Sequence, residues 1–386
     1  MAPKFSFFSN LLIFGALFFL IGFVASFNEV INPFLRSFFD LSYSNASLIQ
    51  FSFFITYLFL AMPSGYVIRK YGHMKIIYLG LFFLLLGCVS IIFVSSLNLF
   101  WPFLVSILFI AFGSCMVIVS SNSYVSFSNS ASHLTIANSF YMIGTSLGPL
   151  FIGNILFSSD KSELILLQFP YSMVSLMIIL AVALLLKTKP KEPLGGILKT
   201  NTKSDNWVNT RLVLGSVAVF LYVGVEVSAA RYMVDFFTLP HLEASITTNT
   251  ASKFLSLYWF IMLIGRLTLV PFLKNKNTFR FLMISGIFGI LIVFFVSFSS
   301  GITALISVVL LGLANAIMFP SIFHIALRDS SGSKSLGSGL LMTSVIGGAI
   351  FPIAQGYFAD LFSLQSSYLL MLISYIYIVI YASTFR

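Results

Sequence analysis

The sequence predicts an all-α integral membrane protein with twelve transmembrane helices arranged as two six-helix bundles. Of the 386 residues, 59% are apolar and only 8% are charged, which excludes an ordinary water-soluble globule. Apolar runs of about 20 residues recur along the whole chain, and this is the length that a helix needs to cross a bilayer. Because lipid cannot satisfy backbone polar groups, these runs are predicted to be helices rather than strands.

The first apolar run follows Lys4 and continues to about Leu35 without a convincing cleavage site, which predicts a retained span rather than a signal peptide. The predicted spans are 11–35, 46–68, 76–96, 100–125, 133–157, 166–186, 212–237, 251–273, 280–299, 302–327, 336–361 and 365–385.

The basic residues predict the orientation of the chain in the membrane. If both termini are cytoplasmic, all but four of the 21 Lys and Arg residues fall on the cytoplasmic side, as the positive-inside rule requires. The four predicted to lie outside are Arg36, Lys161, Arg231 and Lys253. The net charge of +10 therefore reflects membrane topology, and we expect a lipid bilayer but no nucleic acid as a partner.

One long polar segment divides the chain. Residues 187–210 contain clustered lysines together with Pro190, Pro193 and two glycines, a composition typical of a linker. We therefore expect an N-terminal bundle at 1–186, a cytoplasmic linker at 187–210 and a C-terminal bundle at 211–386.

An internal repeat supports two related halves. The pattern Ile143-Gly144-x-x-x-x-Pro149-x-x-x-Gly153 recurs as Ile346-Gly347-x-x-x-x-Pro352-x-x-x-Gly356. The two copies fall in the fifth and eleventh predicted spans, which occupy equivalent positions in the halves. Small residues let helices approach closely, and proline allows them to bend. Paired repeats with a central binding site are typical of secondary transporters.

The sequence offers no catalytic machinery. It has no phosphate loop, zinc-ligand spacing or nucleophile elbow. Its two cysteines, Cys88 and Cys115, both lie inside apolar runs, where neither a disulfide nor a metal site is expected. We therefore predict a protein that is not an enzyme, with no metal, no cofactor and no catalytic residue.

Two acids lie deep inside apolar runs, Glu29 in the first span and Glu226 in the seventh. An acid at this depth costs about 2.5 to 3.5 kcal/mol even on lenient insertion scales, so it must be protonated, paired or facing a wet cavity. We predict that both acids couple proton movement to transport. The alternative is a structural hydrogen bond to a neighbouring helix.

The surroundings of Glu226 leave two interpretations open. Tyr222 lies one helical turn earlier and could donate a hydrogen bond to the Glu226 carboxyl. Arg231, five residues later, could act as a gating partner of Glu226. Equally, Arg231 and Asp235 could form an ordinary i, i+4 ion pair near the interface.

Several motifs carry a family resemblance. They are Asn28-Glu29, Leu48-Ile-Gln50, Pro63-Ser-Gly65, Tyr222-Val-Gly-Val-Glu226-Val-Ser228, Ser256-Leu-Tyr258-Trp259, Gly265-Arg266, Asn315-Ala-Ile-Met-Phe-Pro320-Ser-Ile-Phe323, Gly337-Ser-Gly-Leu-Leu341 and Gly347-Gly-Ala-Ile-Phe-Pro352-Ile-Ala-Gln-Gly356. Together they resemble the fucose and glucose/galactose:proton symporters of the major facilitator superfamily. The resemblance implies a major facilitator fold, a monosaccharide substrate, and an Asn28–Glu29 pair that serves sugar and proton binding.

The chain departs from this family at two places. The fourth span reads Ser120-Ser121-Asn122-Ser123 where the family has Ala-Ala-Asn-Pro, and Ile118 stands at a position usually held by an acid or Gln. In the fifth span Tyr141 replaces a common Asn. These positions contact sugar in the family, so the identity of the substrate stays open.

A sugar requires flat apolar surface for its C–H faces and amides or carboxyls for its hydroxyls. Asn138, Tyr141 and Thr145 share one helical face. Tyr258, Trp259 and Phe319 could stack on the ring. The predicted substrate-binding residues are Asn28, Gln50, Asn122, Asn138, Tyr141, Tyr258, Trp259, Asn315, Phe319 and Gln355. The alternative for each of these residues is interhelical packing.

These observations predict a proton-coupled importer of a monosaccharide that works by alternating access, with sodium as another possible coupling ion. Its expected setting is a bacterial inner membrane, as a multi-pass monomer with cytoplasmic termini. One alternative is a facilitator of another small solute: an amino acid, nucleoside, siderophore or drug. The other is a membrane sensor that binds a solute without moving it.

Overall fold

The computed structural model describes residues 7–126, 131–157, 163–190, 192, 209–239, 246–269, 277–328 and 334–385. Within these ranges the chain forms α-helices and short 3₁₀ turns and no strand, which confirms the predicted all-α class. The helices are α1 (Phe7–Phe38), α2 (Tyr43–Ala46), α3 (Leu48–Tyr71), α4 (His73–Val94), α5 (Phe100–Ser126), α6 (Ala131–Leu156), α7 (Gln168–Thr188), α8 (Thr210–Phe237), α9 (Thr248–Leu269), α10 (Asn277–Phe298), α11 (Gly301–Asn315), α12 (Met318–Leu327), α13 (Lys334–Thr343), α14 (Gly347–Leu361), α15 (Leu364–Ser367) and α16 (Met371–Thr384).

The helical segments follow the predicted spans closely. In the described part of the chain, 11 segments are long and apolar enough to cross a membrane. The remaining predicted span, 46–68, is the 24-residue helix α3. These segments together account for the twelve predicted spans, with ends that shift by a few residues.

The tenth predicted span, 302–327, is not one continuous helix. Helix α11 ends at Asn315 and α12 begins at Met318. Pro320 has no N–H to donate to the carbonyl of Ala316 four residues earlier, so the helical ladder is interrupted there. The Arg266 Nε atom donates to this carbonyl at 3.0 Å, which satisfies a backbone group that lipid could not.

The eleventh and twelfth predicted spans, 336–361 and 365–385, are interrupted as well. A 3₁₀ turn at Ser344–Ile346 separates α13 from α14, immediately before two glycines with low helix propensity. A second turn at Tyr368–Leu370 follows α15, whose first turn is capped by the Ser363 hydroxyl. Each of the last three spans is nevertheless long and apolar enough to cross a membrane, so the interruptions leave the predicted number of spans unchanged.

The glycine repeat corresponds to a repeat in packing. Gly144 of α6 lies against the main chain of Phe19 in α1, and Gly347 at the start of α14 lies against the main chain of Phe220 in α8. In both places a Cβ atom would collide with a carbonyl oxygen. The fifth span thus packs on the first as the eleventh packs on the seventh, which gives the sequence repeat its physical reason.

The chain forms two compact units, one of residues Met1–Phe27 and Phe59–Thr200, the other of residues Asn28–Leu58 and Asn201–Arg386. We call them unit 1 and unit 2. Most of the predicted linker 187–210 lies outside the described residues, so the division into 1–186, 187–210 and 211–386 stays a prediction. Unit 2 contains both Glu29 and Glu226, because it includes the second part of α1 as well as α8.

Candidate functional site

Glu29 lies on α1 among apolar side chains, and only 5% of its surface is exposed. The indole Nε1 of Trp259 donates a hydrogen bond to its Oε2 atom at 2.8 Å. Among the residues that the structure describes, no Lys, Arg or His lies within ion-pair distance of this carboxyl. The Glu29 carboxyl therefore accepts its hydrogen bond from a neutral donor, and no cation among the described residues pairs with it.

Glu226 lies three turns from the C-terminal end of α8 and is partly exposed. The Tyr222 hydroxyl donates to its Oε1 atom at 2.6 Å, which confirms the predicted contact across one helical turn. The same hydroxyl lies 3.3 Å from the main-chain oxygen of Asn315. That oxygen is available because α11 ends at Asn315.

Asn315 is fully buried and connects three tyrosines. Its Nδ2 atom donates to the Tyr258 hydroxyl at 3.2 Å, and its Oδ1 atom accepts from the Tyr375 hydroxyl at 2.9 Å. The Tyr258 hydroxyl in turn lies 3.3 Å from the main-chain oxygen of Glu226. The side-chain amide of Asn315 is thus occupied by protein groups at both ends.

The Trp259 ring meets the Tyr258 ring edge to face, which joins Glu29 and Trp259 to this set. We call the whole set the acid network: Glu29, Tyr222, Glu226, Tyr258, Trp259, Asn315 and Tyr375. Our sequence reasoning missed Tyr375. The available signal was a tyrosine hydroxyl in the middle of an apolar span, since a buried hydroxyl requires a partner.

Other predicted substrate-binding residues of unit 2 differ in how their polar atoms are satisfied. Asn28 Nδ2 and Gln50 Oε1 are buried without a hydrogen-bond partner. Gln355 is instead fully paired, because its Oε1 accepts from Ser228 and its Nε2 donates to Ser367 at 3.2 Å. Phe319 is partly exposed, and its ring centroid lies 6.1 Å from that of Tyr222.

The three remaining predicted residues belong to unit 1. Asn138 Nδ2 donates to Asn122 Oδ1 at 3.2 Å, which joins α6 to α5. Tyr141, three residues after Asn138 on the same helix, is partly exposed. The predicted set is therefore divided, with Asn122, Asn138 and Tyr141 in unit 1 and the others in unit 2.

A second charged group of unit 2 lies near the C-terminal ends of α1 and α8, and we call it the Arg–Asp cluster. Asp235 binds Arg231 Nη1 through one carboxylate oxygen and Arg36 Nη2 through the other, each at 2.9 Å. Arg231 is fully buried. Of the two interpretations left open by the sequence, the structure shows the i, i+4 pair of Arg231 with Asp235.

The short helix α2 adds contacts beside this cluster. The carboxylate of Asp360 accepts hydrogen bonds from the Tyr43 and Ser44 amides at 2.9 and 3.0 Å and from the Ser44 hydroxyl at 2.7 Å. The Arg36 guanidinium lies 4.2 Å from the centre of the Tyr43 ring. Burial, and then the charge of Asp235, raises the pKa of the Tyr43 hydroxyl above its ordinary value. Nothing in the sequence pattern indicated that α2 and α14 are joined.

Comparisons with known proteins agree with this architecture. A glucose/galactose transporter of Brucella abortus is 30% identical over 379 residues, which cover 95% of this chain and 91% of the relative. An L-fucose-proton symporter of Escherichia coli is 23% identical over 388 residues, covering 89% and 85%. The crystal structure of the transporter FucP in the outward conformation has a TM-score of 0.72 at 21% identity, covering 97% and 98%.

The family model described as Major Facilitator Superfamily matches residues 13–345, which is most of the chain. This match confirms the predicted fold and the predicted class, a transporter and not an enzyme. The chain belongs to the Major Facilitator Superfamily.

Proposed function

We propose that this protein imports a monosaccharide together with a proton by alternating access. The observation that carries the proposal is the buried carboxyl of Glu29, which a neutral indole N–H serves in the middle of a membrane-spanning helix. A carboxyl in such surroundings can hold a proton in one conformation and release it in another when water or a substrate hydroxyl reaches it.

Unsatisfied polar atoms support a sugar as the substrate class. Asn28 Nδ2 lies next to Glu29 in the sequence and lacks a partner, as does Gln50 Oε1 of α3. A buried amide group without a partner costs about 1 to 3 kcal/mol, so a ligand that pairs with it gains affinity. Sugar hydroxyls both donate and accept, and therefore fit a free amide donor and a free amide oxygen.

The named relatives favour the same substrate class, because one is a glucose/galactose transporter and another an L-fucose-proton symporter. We propose that this chain takes a substrate of the same class. The predicted contacts at Phe319 and Tyr258 in unit 2, and at Tyr141 in unit 1, would each supply apolar surface of the kind that sugar C–H faces require. The coupling roles of Glu29 and Glu226 belong to the same proposal.

The coupling role is tested by substituting Glu29. In vesicles with an imposed proton gradient, Glu29→Gln is expected to abolish accumulation of D-glucose, D-galactose or L-fucose above equilibrium. Exchange of labelled for unlabelled sugar should persist, because a neutral amide resembles the protonated acid. Asp40→Asn is the matched control, since Asp40 is exposed and lies outside the helices. Undiminished accumulation by Glu29→Gln would reject the role of Glu29.

The substrate class and the transport activity need separate measurements. In proteoliposomes of the purified protein, sugars should compete for uptake, whereas amino acids and nucleosides should not. Binding without flux would instead identify a sensor. Replacing the proton gradient by a sodium gradient tests the coupling ion, and accumulation should then cease.

We also propose a bacterial inner-membrane location, a monomeric state and cytoplasmic termini. The bias of Lys and Arg toward one side of the membrane supports this orientation. Reporter enzymes fused at Arg386 and at residues 158–162, between the fifth and sixth predicted spans, should report opposite sides of the membrane.

A further inference from the structure

Two consecutive residues of α9 contact Glu29 and Glu226, one through the Glu29 carboxyl and the other through the Glu226 main chain. The Trp259 indole donates to the Glu29 carboxyl at 2.8 Å, while the Tyr258 hydroxyl lies 3.3 Å from the main-chain oxygen of Glu226. Both side chains are buried, Tyr258 completely and Trp259 to all but 8% of its surface. Their ring centroids lie 5.2 Å apart in an edge-to-face arrangement. Two adjacent residues of α9 are therefore enough to connect this helix to both Glu29 and Glu226.

The Trp259 contact has a defined chemical effect. The indole N–H is a donor that cannot accept, so it pairs with a carboxylate oxygen better than with the hydroxyl of a protonated acid. A hydrogen bond to the charged form of an acid favours that form. In the apolar interior of a span, this donor offsets part of the cost of an ionised Glu29.

The Tyr258 contacts connect the same helix to the rest of unit 2. Tyr258 accepts from Asn315 Nδ2, and Asn315 accepts from Tyr375, so α9 is joined to α11 and α16. A movement of α9 that withdraws Trp259 from Glu29 must also displace Tyr258, because the two residues are neighbours on one rigid helix. The hydrogen bond at Glu29 is thereby linked to the packing around Glu226.

We propose that Trp259 is a positioning residue for proton coupling: its indole N–H stabilises the ionised form of Glu29 relative to the protonated form, and α9 links this contact to the Glu226 side of the acid network. This inference rests on the proposed function, because it assumes that Glu29 exchanges a proton during transport. It assigns Trp259 a role other than stacking on the substrate ring.

Titratable groups on neighbouring helices also act on this contact. Glu226 and the Tyr258 hydroxyl interact electrostatically with Glu29. Glu226 in turn interacts with Tyr222 and with Arg266. A pH effect that depends on Trp259 and disappears with Glu29 therefore reports this hydrogen bond.

The first test removes the donor but keeps an aromatic ring. In Trp259→Phe, the alkaline limb of sugar uptake is expected to move to higher pH by about one unit, because loss of one hydrogen bond to the ionised form favours the protonated form. Exchange should persist. Trp101→Phe is the matched control, since Trp101 is 70% exposed on α5. An unchanged pH profile in Trp259→Phe would overturn the inference.

The second test keeps the Trp259 side chain and does not require a transport measurement. The chain has three tryptophans, so a Trp101→Phe, Trp207→Phe variant contains Trp259 alone. Its indole emission should titrate with pH, and Glu29→Gln in this background should abolish the titration. Emission that titrates equally with and without Glu29 would overturn the inference, as would emission that does not titrate at all.

The two proposals can fail separately. If Glu29→Gln retains sugar accumulation while the Trp259 emission still depends on Glu29, the proton-carrier role fails and the contact stands. If Glu29→Gln loses accumulation but Trp259→Phe keeps the normal pH profile, the transport proposal stands and the positioning role of Trp259 fails.

Discussion

The acid network and the Arg–Asp cluster both place carboxyl groups inside unit 2, but these carboxyl groups have different kinds of partner. Asp235 lies between two guanidinium groups, each at 2.9 Å. Glu29 receives an indole N–H, and Glu226 receives a phenol hydroxyl. Asp235 is therefore held in an ion pair, whereas the groups that donate to Glu29 and Glu226 are uncharged. The first arrangement suits a structural contact and the second suits proton exchange.

A buried ion pair and an uncharged carboxyl respond differently when the acid is replaced by an amide. Breaking a buried ion pair leaves an uncompensated charge, which is strongly destabilising. Replacing a neutral or protonated carboxyl by an amide leaves no such charge. The same chemical change, acid to amide, should therefore have different consequences in the two regions.

The largest effect is expected for Asp235→Asn. This substitution leaves the fully buried Arg231 without its ionic partner and should cost about 3 to 5 kcal/mol of stability, measured as a lower thermal unfolding midpoint in detergent. The double variant Arg231→Met, Asp235→Leu should recover much of the loss, because it removes both buried charges. Equal stability of the single variant and the wild type would show that the cluster is not a buried ion pair in the folded protein.

A much smaller effect on stability is expected for Glu226→Gln. The amide oxygen can still accept from the Tyr222 hydroxyl, so the unfolding midpoint should change by the equivalent of less than about 1 kcal/mol. Coupled sugar accumulation should nevertheless fall, whereas exchange continues. A loss of stability as large as that of Asp235→Asn would mean that Glu226 is held as a charged structural group, and the contrast between the regions would disappear.

The smallest effect on stability is expected for Glu192, an acid that lies outside the spans at an exposed site. Its carboxylate accepts from the Met74 and His73 amides and contacts the His73 imidazole at 2.9 Å, at the start of α4. Partial burial pushes the pKa of Glu192 up, but these donors outweigh it and hold the pKa below its ordinary value of 4.5.

Because the pKa of Glu192 is lower in the folded state, its contribution to stability is present above pH 4.5 and is lost as the pH falls through the lowered value. Glu192→Gln should therefore reduce stability at neutral pH by less than about 1 kcal/mol, since the site is largely exposed. The difference in unfolding midpoint between variant and wild type should vanish in acid. A difference that grows as the pH falls would contradict this account.

Much of the fold was predictable because the bilayer imposes simple rules on sequence. Span length, charge bias and the glycine repeat each follow from a local physical requirement, and the structure agrees with the predicted spans within a few residues. The breaks at Ala316 and Ser344 were missed, although Pro320 and the Gly347–Gly348 pair were visible signals. A proline shows where a helix loses a hydrogen bond, but not whether a side chain such as Arg266 replaces it.

The sequence predicted which residue types form the site, but only some of the hydrogen bonds between them. The Tyr222–Glu226 contact follows from helical spacing alone, and it was found. The partners Trp259 for Glu29 and Tyr375 for Asn315 come from positions 230 and 60 residues away in the sequence. No local pattern specifies such pairs.

Hydropathy and the cost of buried charge are properties of local segments, so the membrane spans and the two acids inside them follow from the sequence, as do the motifs that indicate a transporter family. Which acid pairs with arginine and which accepts from neutral donors depends instead on how the helices pack. The reason is that hydrogen bonds and ion pairs act over about 3 Å, and residues distant in sequence reach that separation only when the helices pack.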